Sequence, residues 1–198
     1  MIYEGAPSHK LRILAIVLQR KLAEGYRCLY LNSAPMVAGM RSTLAAMGTD
    51  VSYEIAKARL VLSSEPVTSG REFDSEVMLG KLEDSLDQAI NDGYRGLWAT
   101  GDMTWEFGPE NNFSKLLEYE WGLEEMFHRR KELSGICQYH QDTLPREVMR
   151  QGLLTHSSIV INETLSRINP HYLKSTNHDG LNTTAYQLDE TIAALCGK

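Results

Sequence analysis

Short apolar runs alternate with longer amphipathic stretches along most of this chain, and that alternation restricts the fold more than any other feature. Met1-Ile2-Tyr3, Cys28-Leu29-Tyr30-Leu31, Leu60-Val61-Leu62, a segment within Tyr94 to Thr100, Gly135 to Tyr139 and Ser158 to Ile161 read as strands. Between them, Leu11 to Ala23, Met36 to Met47, Ser75 to Asn91, about Phe113 to Arg130 and Pro145 to about Leu154 have helical spacing. Gly25, Gly48 and Gly93 stand where helices stop, and Asp74 stands where a helix is capped. Strand, helix, strand at this spacing predicts an α/β domain with a mainly parallel sheet flanked by helices. Several strands are continuous apolar runs, as they must be when helices cover both faces. Ligands of such sheets bind beyond the carboxyl ends of the strands. That rule selects Glu4 to Lys10, Asn32-Ser33, Ser63 to Glu65, Gly101 to Trp105 and Tyr139-His140.

Composition narrows the function classes. The 198 residues suit one domain with an appended tail, here residues 1–172 followed by a polar linker and short terminal helix over 173–198. In that tail Ala185, Leu188, Ile192 and Leu195 share helical spacing, suited to packing on the domain, on a partner or on a second copy. Lys and Arg number 20 against 26 Asp and Glu, a net charge of −6 that argues against direct nucleic-acid binding and against docking on anionic lipid. No apolar run approaches the ~18–20 residues a membrane span needs, and Met1 to Lys10 lacks the layout of a signal peptide. Cys28, Cys137 and Cys196 are far apart and contain no CxxC, so a reduced, cytoplasmic protein is expected. His9, His128, His140, His156, His171 and His178 form neither HxxxH nor HExxH, so spacing supports no metal site and no cofactor.

The sharpest anomaly is Glu120. Phe113, Leu116, Leu117, Leu123 and Phe127 make the apolar stripe of their helix, and Glu120 stands in the middle of it. A carboxylate there must be partnered or neutralised, either in a ligand pocket or in a structural network with a nearby Arg or Tyr. Glu118 and Glu124 read as charges on the solvated face. Thr100-Gly101-Asp102-Met103-Thr104-Trp105 follows a strand and gathers an acid, a thioether and an indole, a mixture suited to a small, mostly apolar ligand or to an ordinary loop around a buried Trp. Cys137 and Tyr139 share one face of their strand, with His140 and His156 further along. A Cys within a strand reads more readily as a buried hydrophobe than as a nucleophile. Arg71, Phe73 and Asp74 suggest a loop-to-helix corner.

Glu4 to Leu11 lies between a strand and a helix, the context of a phosphate loop. The pattern GxxxxGK followed by Ser or Thr is degenerate here: Gly5 and Lys10 remain, but His9 replaces the second glycine and Leu11 the hydroxyl. ATP hydrolysis is therefore not expected.

Gly70-Arg71-Glu72-Phe73-Asp74, the run Gly93 to Trp105, Leu117-Glu118-Tyr119-Glu120, Cys137-Gln138-Tyr139 and Leu154-Thr155-His156 resemble, in order and spacing, the MEDS (methanogen/methylotroph, DcmR-type) sensory domain, from about Ile2 to Tyr172. The resemblance implies a RecA/KaiC-like core with a degenerate nucleotide site and a role in sensing small molecules, proposed to be hydrocarbon derivatives. It implies that Asp102, Trp105, Tyr119, Glu120, Cys137, Tyr139 and His156 match recurrent family residues; Met103 joins them from the loop reading. The family pattern has Glu at the position of Asp102, often Arg at that of Trp98, and Pro at that of Ser157.

The expectation is a non-enzymatic sensory domain that takes a small organic ligand and acts through a regulatory partner or self-association. Two alternatives stay open: a nucleotide-binding RecA-like protein with little or no turnover, and an interaction module with a vestigial pocket. An enzyme using Asp102 and Glu120 for proton transfer is a further possibility, with no reaction specified by the spacing.

Overall fold

Five parallel strands form the central sheet, in the order β1 (Ile2–Tyr3), β5 (Leu133–His140), β4 (Leu97–Asp102), β2 (Arg27–Leu31), β3 (Leu60–Ser63). The computed structural model describes residues 1–65, 73–106, 113–162, 164–174 and 183–196, without the side chains at 105, 106 and 114. The α/β expectation with a parallel sheet flanked by helices holds.

Side-chain alternation along the strands divides the molecule into two layers. On one face, Cys28, Tyr30, Leu60 and Trp98 pack with α1 (Leu11–Ala23) and α2 (Ala34–Ala46). On the other, Leu97 and Leu133 meet α4 (Ser75–Asn91) and α6 (Leu116–Arg129). Further along that face, Ile2, Cys137 and Tyr139 meet α6, α7 (Arg146–Thr155) and the terminal helix α8 (Ala185–Cys196). Seven buried apolar positions, Leu11, Leu14, Ala15, Leu18 and Leu22 on α1 with Met40 and Leu44 on α2, explain why these segments are helices at all: each presents one buried stripe to the sheet. Gly135 lets β5 lie close against β4, because a Cβ there would stand 2.3 Å from the Ala99 carbonyl oxygen.

Boundaries follow local chemistry. The Asp74 carboxylate accepts from the Val77 amide at 3.1 Å and starts α4 as the sequence predicts. The helix expected from Phe113 begins as a 3₁₀ turn, Phe113–Lys115, and turns α-helical only at Leu116. A short helix α3 (Val51–Ala56), capped by Asp50 on the Tyr53 amide at 3.0 Å, goes unread in the sequence, since six residues are too few to show a period. The last expected strand is corrected in its pairing. β6 (Ser158–Val160) does not extend the parallel sheet; it pairs antiparallel with β7 (Ser166–Ile168) as a separate hairpin. The fifth place in the main sheet, beside β5, is already held by β1.

The terminal helix packs on its own chain. Leu188, Ile192 and Cys196 are buried in the core shared with α7, and Asp189 takes two hydrogen bonds from the Arg150 guanidinium, at 2.9 and 2.7 Å. Among the described residues, no helix is long and apolar enough to cross a membrane.

Candidate functional site

Glu120 is placed in the apolar stripe of α6 between buried Leu116 and Leu123, and the residue is only 3% exposed. The sheet supplies what it needs. Tyr139, on β5, donates a very short hydrogen bond from its hydroxyl to Glu120 Oε1. The second oxygen, Oε2, faces His156 Nε2 at 3.4 Å and the Cys137 thiol at 4.0 Å. Cys137 and Tyr139 reach the same carboxylate because they are two apart on one strand and so share a face.

His156 is the residue that ends α7. Its Nδ1 lies 2.7 Å from the Gly152 carbonyl oxygen, one helical turn earlier. A carbonyl only accepts, so Nδ1 carries the proton and the ring is turned with Nε2 toward Glu120. Gly152 has a second task. A Cβ on it would sit 2.5 Å from the Tyr139 ring, so only glycine lets Tyr139 lie flat enough against α7 to reach Glu120. The Tyr139 and His156 rings meet edge to face, with centroids 5.7 Å apart.

The cluster is buried but not sealed. A cavity of about 220 Å³ opens beside it, bordered by Phe127, Ser134, Cys137, His156 and Ser158. Glu124 borders the same cavity. It is half-buried rather than solvated, and accepts from the Tyr172 hydroxyl at 2.7 Å; burial, with Glu124 beside it, pushes that phenol well above its ordinary range. A narrower apolar cavity of about 40 Å³ lies on the α4 side of Cys137, between Met78, Met103, Tyr119 and Leu123. Tyr119 meets Phe73 edge-on at 5.5 Å. Met103 and Tyr119 are thus brought beside Cys137, around this second cavity.

Asp102 is elsewhere. It pairs in register with Gln138, not Cys137, and so shares the opposite face of the sheet with Thr100, to which Gln138 donates at 3.0 Å. Its Oδ2 accepts from the Tyr3 hydroxyl at 3.2 Å. Burial, with Asp102 second, raises the Tyr3 phenol far above its ordinary range. The two acids therefore do not form a proton-transfer pair. Trp105 belongs to the short helix α5 (Met103–Glu106), with its side chain outside the described residues, as Arg71 is entirely.

Gly5 and Lys10 do flank the turn between β1 and α1, which runs through a 3₁₀ segment, Pro7–Lys10. The Gly5 amide, a donor a phosphate would require, is bonded to the Asp142 carboxylate at 2.8 Å. His140 is absorbed here too: its Nε2 meets the Gly5 carbonyl at 2.8 Å and its ring stacks on Tyr3. Sequence reasoning missed Gly152, Tyr3 and the second histidine's partners. The signal for Gly152 was present, since glycine inside a helix costs ~1 kcal/mol relative to Ala and implies a packing reason.

No curated protein matches the sequence. A family model described as MEDS, the MEthanogen/methylotroph, DcmR Sensory domain, matches residues 1–157, which takes in the whole parallel sheet and ends one residue past His156. The chain belongs to the MEDS family of sensory domains.

Proposed function

We propose that this protein is a non-enzymatic sensor of a small organic molecule, hydrocarbon-derived in class, that binds in the cavity beside Cys137 and His156 and signals to a partner protein. The observation that carries the reading is the joining of a buried polar cluster to an accessible cavity in a member of a sensory family. The cavity, about 220 Å³, is smaller than the ~300–1,000 Å³ of pockets for drug-sized ligands, so the ligand is small. Phe127 and Val160 would give it apolar contact; His156, Cys137 and Ser158 would fix one polar group. Met103, Tyr119 and the apolar cavity behind Cys137 extend the site when side chains there move apart. Signalling requires only that the ligand prefer one of two conformations.

The nucleotide reading of a degenerate RecA/KaiC-like core is weaker, because Asp142 occupies the Gly5 amide and would repel a phosphate. A thermal-shift panel of small alcohols, amines, thiols and halogenated alkanes, beside ATP and ADP with Mg²⁺, decides between them. A ligand at ~100 times its dissociation constant stabilises the protein by roughly 2.7 kcal/mol. A shift with one organic class, lost in Glu120→Gln, is the expected result. A shift with nucleotide alone overturns the sensor reading in favour of the nucleotide one, and no shift at all overturns both.

A further inference from the structure

Glu120, Cys137 and His156 present an oxygen, a sulfur and a nitrogen that all lie within 4.8 Å of one another. They come from the middle of α6, the sheet strand β5 and the end of α7. We propose that these three side chains bind a divalent transition-metal ion of zinc type, with a fourth position open to the cavity.

Spacing is the first argument. Zinc bonds of ~2.0–2.3 Å at tetrahedral angles put neighbouring donor atoms ~3.4–3.6 Å apart. His156 Nε2 and Glu120 Oε2 stand at 3.4 Å, and Cys137 Sγ and Glu120 Oε2 at 4.0 Å. With all three donor atoms inside 4.8 Å, closing the set around an ion takes up to about an ångström of movement, chiefly of the Cys137 and His156 side chains toward each other.

The outer contacts are the second argument. A metal-bound histidine ordinarily donates its other N–H to a carbonyl or carboxylate, and a ligating carboxylate is itself hydrogen-bonded. His156 Nδ1 donates to the Gly152 carbonyl at 2.7 Å, and Glu120 Oε1, the oxygen turned away from the donor set, accepts from the Tyr139 hydroxyl. Both orienting bonds are therefore built. His156 Nε2 and Glu120 Oε2 face each other at 3.4 Å, and a cation between them would be bound by both.

Donor chemistry selects the ion. A thiolate with an imidazole and one carboxylate suits zinc, whereas calcium and magnesium take oxygen sets. Three protein ligands leave a position for water or a small donor molecule, and Cys137 and His156 both border the cavity of about 220 Å³. Binding converts the Cys137 thiol to a thiolate and releases its proton to solvent, so metal uptake acidifies the medium.

The test is a Co(II) titration of the purified, chelator-treated protein, followed in the near ultraviolet for thiolate-to-cobalt charge transfer. One Co(II) per chain with that band, displaced by Zn(II), is expected. Cys137→Ser should abolish the band, and His156→Ala, at the cavity rim where unfolding is least threatened, should weaken binding at least tenfold. Tyr139→Phe touches no ion and should weaken it ~10–100-fold through Glu120. Far-ultraviolet circular dichroism of each variant separates loss of binding from loss of fold. Absence of a band in the folded protein, or a band that survives Cys137→Ser, overturns the proposal; Cys28 or Cys196 would then be the thiolate. Neither result depends on the organic ligand panel, so the metal and sensor readings fail separately.

Discussion

The protein contains two groups built from the same parts, a tyrosine hydroxyl bonded to a buried carboxylate with a histidine beside it, and they lie on opposite faces of the sheet. In one, Tyr3 donates to Asp102 and stacks on His140, with ring centroids 4.8 Å apart. In the other, Tyr139 donates to Glu120 beside His156. The difference lies in the histidines. His140 has the Gly5 carbonyl at one ring nitrogen and the Thr143 hydroxyl at the other, so it fastens the loop after β1 to the end of β5. His156 spends one nitrogen on its own helix and turns the other into the cluster, next to a thiol and a cavity. Composition alone does not make a site; the direction in which the last nitrogen faces does.

The largest effect should come from Gly152→Val. Added carbons would meet the Tyr139 ring, where a Cβ already stands at 2.5 Å. Overpacking of this kind costs ~1–3 kcal/mol or more, added to the Tyr139–Glu120 hydrogen bond that a displaced ring would lose, read as a lower midpoint in urea, and a variant of unchanged midpoint would show that Tyr139 does not rest on α7.

Tyr139→Phe and Tyr3→Phe form the direct comparison. Each deprives a buried carboxylate of one donor, a loss of ~1–3 kcal/mol. Equal losses of stability are expected, with ligand or metal binding altered only in Tyr139→Phe. If Tyr3→Phe alters binding as much, the contrast between the two groups is broken.

Thiol labelling compares the two layers. Burial pushes the Cys28 thiol up to about 12 and the Cys196 thiol up to about 11. At pH 8 only ~1 in 10,000 Cys28 side chains would be thiolate, the reactive form. Cys28 should therefore be the slowest to alkylate in the folded protein, by peptide mass mapping, and rapid modification there would mean that the α1–α2 layer opens readily.

The smallest effect concerns His171, whose Nε2 meets Thr191 on α8 at 2.8 Å. Burial, with Arg167 second, holds this histidine below its ordinary range. The unfolded chain then binds the proton more readily than the folded one. Stability is complete above the ordinary histidine value of ~6.5 and declines as pH falls through it toward the lower folded value. His171→Gln should flatten the decline between pH 7 and 5; an unchanged slope assigns it to other groups.

Much of this architecture is legible in the sequence, for reasons that differ by element. α1 and α4 are read to the residue because their stripes end at glycine or begin at a capping Asp. β7 is not, since Ser166, Arg167 and Ile168 are all exposed and carry no alternation. Glu120 is found because it interrupts a stripe, and Cys137 with Tyr139 because alternation puts them on one face. Asp102 falls in the same region by the strand-end rule, but that rule says nothing about which face a side chain takes, and register puts it on the other. A search for histidine pairs passes over the donor set entirely, as its three atoms come from three elements that only the fold brings together.

One small contact reaches further. Asn169, at the end of the β6–β7 hairpin, donates through its side-chain amide to the Leu153 carbonyl and, at 2.7 Å, to that of His156. The hairpin and the histidine thus hang from a single peg. The backbone that carries the imidazole is therefore the same backbone that the hairpin grips, and at the hairpin's own surface Ile168 and Leu165 face outward.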